Sequence, residues 1–153
     1  AIRRQRQMCI RDRSDRSAEM ATPVLRLDRE SYNLFTEDRK FGRVGGTTVV
    51  FDKEMYALYF SKELIPHFEI AKIDQDKPIP CYHHVGLYAY RRNVLNDYLY
   101  WSESYLEKVE GLEQLRFLSE NKKIKCVEVS SRGNVFWELN NPEDVKRIEK
   151  VIS

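Results

Sequence analysis

The sequence predicts an α/β layered fold, and three observations carry that expectation. Short β-rich runs recur at 47–51, 56–60, 82–90 and 122–129. Segments of helical period lie between them, the strongest from Ser104 to Asn121. Strands that alternate with helices bury their apolar faces as layers around one core, and 153 residues are enough for one such domain. No apolar run approaches the roughly 20 residues that span a bilayer, and the N-terminus lacks the apolar centre of a secretory signal. Cys9, Cys81 and Cys126 are odd in number and follow no ligand spacing, which favours a reducing, cytoplasmic setting.

Taken in order, residues 1–16 hold six arginines (Arg3, Arg4, Arg6, Arg11, Arg13 and Arg16) against Asp12 and Asp15. That segment is +4, so the rest of a chain of net charge +2 stands at −2, with no basic excess to mark a nucleic-acid footprint. The lead itself reads as a basic nucleic-acid tail or as unstructured chain. Met8-Cys9-Ile10-Arg11-Asp12-Arg13 also resembles translated sequencing adaptor. Residues 1–19 are therefore set apart as a non-native, disordered basic lead, and 20–153 as the domain.

Ala21 to Leu27 reads as a strand with Pro23 near its start. Asp28 caps a short helix through Phe35, and 37–46 is a glycine-bearing loop. The Gly45-Gly46 pair could approach a phosphate, although a plain turn explains it better. Asp52-Lys53-Glu54 joins two strands as a hairpin-like turn. Pro66 stops any helix after Ser61, and 74–80, with two prolines, is a surface loop.

Tyr82 to Tyr90 reads as one aromatic strand. Alternation puts His84, Gly86, Tyr88 and Tyr90 on one face and His83, Val85, Leu87 and Ala89 on the other. Cys81, His83 and His84 therefore make a poor zinc site. His84 and Tyr88 read either as a satisfied polar pair at a sheet edge or as a pair facing a ligand. Arg91 to Trp101 is a helix, Lys122 to Val129 a strand, and Arg132-Gly133-Asn134 a turn. Asn141-Pro142-Glu143-Asp144 opens a last helix, with an asparagine cap, proline at the first helical position and acids in the first turn.

In the Ser104–Asn121 segment, Leu106, Val109, Leu112, Leu115 and Leu118 form an apolar stripe. Ser104 and Glu107 have capping-box spacing. Gly111 falls in mid-helix, where it costs about 1 kcal/mol against alanine, so something is expected to pack close to it. Glu113 and Gln114 lie on the edge of the stripe, placed to reach into a cleft.

Four stretches then stand in an order that resembles one family. They are Ala57-Leu-Tyr-Phe-Ser-Lys62 with Ile65-Pro66, His84-Val-Gly-Leu-Tyr-Ala-Tyr-Arg91, Leu106-Glu-Lys-Val-Glu-Gly-Leu-Glu-Gln-Leu-Arg116 and Asn141-Pro-Glu-Asp144. Together they are similar to 3-deoxy-manno-octulosonate cytidylyltransferase, or CMP-KDO synthetase, from about Met20 to the C-terminus. The resemblance implies a Rossmann-like nucleotidyltransferase fold, here incomplete, with the C-terminal portion of the sheet and its helices. It implies a CTP-dependent enzyme, homodimeric when full length, that activates 3-deoxy-D-manno-octulosonate (KDO) to CMP-KDO with release of pyrophosphate, for lipopolysaccharide synthesis. Mg2+ is the implied cofactor, and CTP and KDO are the implied small-molecule partners, with no nucleic acid or membrane.

By the same resemblance, Lys62, His84, Tyr88, Glu113 and Gln114 are the substrate-binding residues. A carboxylate and an amide supply the acceptors and donors that a polyol needs. Lys62 stands where the family has arginine, and offers a point charge in place of a bidentate fork. Asn140 replaces the family's metal-binding aspartate, and an amide oxygen is a poorer magnesium ligand. Gly42-Arg-Val-Gly-Gly-Thr-Thr48 replaces the family's approach to its strand. The family's N-terminal half, with its phosphate loop and first metal ligand, is not in this sequence, so the chain is expected to be an inactive fragment. Alternatives are a cytidylyltransferase for a sialic-acid-like or amino-KDO sugar, or a non-catalytic sugar-binding module.

Overall fold

A computed structural model describes residues 17–44, 46–130, 144, 145 and 149. Its strands are β1 (Met20–Arg26), β2 (Thr48–Phe51), β3 (Ala57–Ser61), β4 (Tyr82–His84), β5 (Ala89–Tyr90) and β6 (Ile124–Glu128). Its helices are α1 (Arg29–Lys40), α2 (Arg92–Tyr98), α3 (Tyr105–Glu110) and α4 (Gln114–Ser119). The arginine-rich segment 1–16, the turn at 132–134 and the opening of the last helix at 141–143 lie outside the described residues, as does Asn140. Ala18 is already buried and its carbonyl accepts from Arg91 Nε at 2.6 Å, so packed chain begins ahead of Met20.

The described strands form one mixed sheet in which β3, β2, β4 and β1 are successive neighbours. Val24 pairs with both His84 and Glu128, and Met20 with both Tyr90 and Ile124. So β6 runs along one edge of β1, while β4 and β5 share the other. Only β1 with β6 is parallel; the other ladders are antiparallel. Two cores sandwich this sheet. Phe35 of α1 joins Leu27, Ile79 and Cys81 in one. Val94, Leu115 and Phe117, from α2 and α4, join Met20, Val24, Val49, Phe60 and Ile124 in the other. This is the α/β layering that the alternation of elements predicts.

Local signals hold where local chemistry decides. Asp28 caps α1 by accepting from Ser31 N at 2.7 Å. The helix then runs past Phe35 to Lys40, so 37–40 is helix and not loop. Asp52 shapes the hairpin by accepting from both Glu54 N and Tyr56 N at 2.9 Å. Gly46 is explained by packing: a Cβ there would lie 2.7 Å from the His83 ring.

The single strand expected over 82–90 is broken in two, and β1 shows why. Pro23 lies in the middle of β1, paired with Val127 of β6 on one side and falling between the β4 and β5 ladders on the other, not near its start. Val85 N donates to Pro23 O at 3.0 Å, but the return bond of that antiparallel pair needs an amide hydrogen that proline lacks. Residues 85–88 bulge out opposite only Thr22 and Pro23 before pairing resumes at Ala89. The Thr22 hydroxyl fills the gap. Its Oγ1 lies 3.2 Å from Val85 O and 2.9 Å from Leu87 O, and its one proton serves both carbonyls.

The helix expected from Ser104 to Asn121 is likewise two. Ser104 and Glu107 do form a capping box. Gly111, however, ends α3 in the left-handed region at φ 64° and ψ 40°, the usual glycine C-cap. The chain turns there and restarts as α4. Leu112 and Leu115 therefore reach the core while Val109 is 65% exposed, although all three share one sequence period. The two readings of Gly111 predict opposite signs for one substitution. In mid-helix, Gly111→Ala would stabilise the protein by about 1 kcal/mol. In the left-handed cap it is expected to destabilise it by about 1 kcal/mol or more, measured by urea unfolding.

Candidate functional site

The site is built where the end of β3 meets the α3–α4 elbow. Glu110, the last residue of α3, grips the strand. Its Oε1 accepts from Ser61 Oγ at 2.8 Å and Tyr59 OH at 3.2 Å, and its Oε2 accepts from Lys62 N at 3.0 Å. Burial, with the Glu110 carboxylate second, raises the Tyr59 phenol above its ordinary pKa. Glu107 braces the other side of the elbow. Its carboxylate accepts from Arg116 Nε at 2.7 Å and Nη2 at 2.5 Å while also serving the capping box. Those bonds hold Glu107 below the usual carboxylate range. Two glutamates one helical turn apart thus fix both α3 on β3 and α4 on α3.

Lys62 follows from this arrangement. Its half-buried side chain crosses the elbow so closely that a Cβ on Gly111 would lie 2.8 Å from Nζ. Its carbonyl accepts from Arg39. Among the described residues the Lys62 ammonium has no carboxylate partner, so a positive charge stands uncompensated beside the turn that carries Glu113 and Gln114.

The opposite wall comes from the bulge. His84 and His83 turn to different faces, as alternation requires. His83 packs on Phe35 at 5.3 Å between ring centroids, and His84 on Phe60 at 5.1 Å. Beyond the bulge, the Tyr88 ring returns to within 5.3 Å of the His84 ring. Tyr88 OH donates to Gln114 Oε1 at 3.3 Å, closing the gap between sheet and elbow. His84 Nε2 and Gln114 Nε2 are buried and have no hydrogen-bond partner among the described residues. Most buried polar atoms are hydrogen-bonded, so two orphans flanking one tyrosine leave unused hydrogen-bonding capacity at this point. Burial, with His83 adding, holds the His84 imidazole down at about 3. It is therefore neutral near pH 7 and offers one donor and one acceptor.

Glu113 is exposed at the start of α4. Tyr90, whose phenol burial pushes up to about 12 with Glu113 adding, locates that carboxylate beside the aromatic run. Tyr90 continues the run from Tyr88 at 5.9 Å to Phe117 at 5.4 Å. The structure thus links Gln114, Tyr88 and His84 in one chain of contacts, with Glu113 at its rim; Lys62 stands apart from that chain, against Gly111 of the elbow. Sequence reasoning missed Glu107 as an ion-pair partner, and Glu110 and Thr22 altogether. A glycine directly after an amphipathic helical segment was the available signal for the elbow.

A cleft of about 660 Å3 lies elsewhere, lined by 26–30 and 75–79. It holds none of the five predicted binding residues, and its cations are engaged. Arg26 pairs with Glu128, Lys77 with Asp74, and Arg29 donates to the carbonyls of Ile73 and Asp74. Lys62 is the better anchor for an anion. Among the described residues no three His, Cys, Asp or Glu side chains gather to hold a metal ion. The implied Mg2+ therefore finds no ligand set there.

Comparison with known proteins gives a consistent result. A family model described as cytidylyltransferase matches residues 18–124. The 3-deoxy-manno-octulosonate cytidylyltransferase of Maricaulis maris is 40% identical over 141 residues, 92% of this chain and 53% of that protein. The protein of the same name from Chlamydia pneumoniae is 39% identical over 142 residues, 92% of this chain and 49% of that protein. A solved structure of CMP:2-keto-3-deoxy-manno-octonic acid synthetase complexed with CTP superposes with a TM-score of 0.71 at 26% identity, covering 98% of this chain and 55% of that one. The chain spans about half the length of the curated relatives it matches.

A ring held neutral by burial gives a pH prediction. The folded pKa of His84, about 3, lies below its ordinary 6.5, so the unfolded state binds the extra proton first. This contribution to stability is complete above pH 6.5 and declines as pH falls from there toward about 3. Ring-selective NMR is expected to show no His84 titration between pH 5 and 8. A midpoint near 6.5 would contradict the buried placement.

Proposed function

The chain belongs to the cytidylyltransferase family, and from there we propose that it supplies the sugar-acid side of a CTP-dependent enzyme that converts KDO to CMP-KDO for lipopolysaccharide synthesis. Pyrophosphate is the other product. The observation that carries this reading is the junction at the elbow: an uncompensated ammonium, a neutral imidazole, a phenol and an amide brought together from three separate stretches of chain. That set matches an acidic polyol. Lys62 attracts the sugar carboxylate, and Gln114, Tyr88 and His84 exchange hydrogen bonds with hydroxyls. Glu113 accepts from a hydroxyl at the rim.

In the proposed reaction the anomeric hydroxyl of the sugar attacks the α-phosphate of CTP and displaces pyrophosphate. The work of this chain is to hold that hydroxyl in place. Positioning of this kind is a main source of rate in phosphoryl and nucleotidyl transfer. The elbow and the bulge suit the task because both walls are fixed by buried hydrogen bonds. The nucleotide side of the reaction falls to the part of the relatives that this chain does not span. Magnesium, which the family resemblance implies, belongs with that part of the reaction, where it would offset the charge of the leaving pyrophosphate. The whole protein is proposed to work as a homodimer in the cytoplasm. The exposed Leu99, Tyr100, Tyr105 and Val109 offer an apolar surface for a second copy. Cys81 and Cys126 are buried thiols.

Lysine in place of arginine leaves room for a related sugar acid, and a binding panel separates the choices. By isothermal titration the chain is expected to bind KDO more tightly than sialic acid. Lys62→Met is expected to weaken KDO binding at least about tenfold, the scale of one lost charge-assisted hydrogen bond, and Lys62→Arg to retain it. Equal binding by Lys62→Met would reject Lys62 as the carboxylate anchor. With CTP and KDO together, the chain alone is expected to release no pyrophosphate.

A further inference from the structure

We propose that Thr22 is a positioning residue for the sugar-acid site. Its buried hydroxyl takes the place of the amide that Pro23 lacks and so fixes the bulge that brings Tyr88 back to His84 and Gln114. The proposal rests on the reading of that site as a sugar-acid site, but its structural part stands on the ligand-free protein.

The chemistry is closed at each step. A regular antiparallel pair at Pro23 and Val85 needs two hydrogen bonds. Val85 N to Pro23 O forms at 3.0 Å, and the reverse bond cannot. Val85 O is then left without a donor from β1 and takes one only from within its own segment. Thr22 Oγ1, 3.2 Å away, supplies the donor from β1, and its proton is shared with Leu87 O at 2.9 Å. Sharing ties the two ends of a short turn, in which Leu87 N also donates to Val85 O at 2.6 Å. The turn sets the direction in which the chain leaves toward Tyr88. Thr22 itself is fully buried and pinned in β1 between β6 and the bulge. Its hydroxyl bonds to backbone carbonyls and to none of the side chains proposed to hold the ligand. Its effect passes through the backbone of Val85 and Leu87 to the Tyr88 ring, 5.3 Å from His84, and the Tyr88 hydroxyl, 3.3 Å from Gln114.

The test uses the full chain carrying isotope-labelled tyrosine and histidine rings. In Thr22→Ser, which keeps the hydroxyl, the nuclear Overhauser contact between the His84 and Tyr88 rings is expected to persist. In Thr22→Val, which keeps the volume, it is expected to fall severalfold, and KDO binding at least tenfold. The thermal melt of each variant, recorded alongside, separates a local change from general loss of fold. Thr22→Val with the ring contact and the affinity both intact would overturn the proposal. If Thr22→Val does not fold, the double variant Thr22→Val/Pro23→Ala returns an amide to position 23, so the strand can pair regularly, and is expected to recover the fold without the ring contact; a double variant that stays unfolded, or that folds and keeps the contact, overturns the proposal. The sugar-acid reading fails by a different sign, namely wild-type His84 and Tyr88 resonances that do not move on adding KDO.

Discussion

A missing hydrogen on one backbone nitrogen organises the strand wall of this site. Pro23 stands in the centre of a strand that is paired on both edges, a position proline occupies only at a bulge. The sheet cannot zip past it, so the neighbouring segment loops out over 85–88 and rejoins at Ala89. Without that detour His84 and Tyr88 would be ordinary members of one regular strand. With it, the tyrosine is carried out of the ladder and onto the elbow, and the Thr22 hydroxyl ties the detour to β1 through the Val85 and Leu87 carbonyls.

The second wall depends on a complementary device. Gly111 turns the chain through a left-handed residue, and Glu107 and Glu110 lock the two short helices at a fixed angle against β3. Hydrogen bonds to ionised groups contribute about 1.5–3 kcal/mol each, roughly double the neutral kind. Glu110 makes three contacts of this type, all with the last residues of β3 or the residue after it. Glycine at 111 serves a further end, because only the absence of a side chain leaves room for the Lys62 ammonium. The cation is held against Gly111 with no carboxylate partner among the described residues, and the His84 imidazole is kept neutral by burial. The proposal of an acidic polyol rests on that pairing of one fixed charge with neutral donors and acceptors.

Much of the architecture was readable from local pattern. The caps at Asp28 and Ser104, the hairpin at Asp52 and the β-rich runs at 47–51, 56–60 and 122–129 all depend on residues within a few positions of one another, and they stand as expected; the run at 82–90 does not. The break at Gly111 was hidden because the spacing of leucine and valine continues across it. Periodicity does not reveal that Val109 and Leu112 face different surroundings. The bulge was hidden for a stronger reason: it is made by Pro23 and Thr22 acting on a segment more than sixty residues later, through a pairing that no local rule predicts. Glu110 was missed likewise, since its partners lie about fifty residues earlier. The binding residues themselves came from resemblance to a family and not from composition. The structure adds the contacts that connect three of them, His84, Tyr88 and Gln114, and sets Lys62 against Gly111 of the elbow.

The central claim is that two walls, one shaped by Pro23 and one by Gly111, converge on a single acidic sugar. A crystal structure of the chain soaked with KDO addresses it most directly. The sugar carboxylate is expected at hydrogen-bond distance, about 3 Å, from Lys62 Nζ, with the ring against His84 and Tyr88 and a hydroxyl on Gln114. Sugar bound instead in the cleft at 26–30 and 75–79, with the elbow empty, would contradict it.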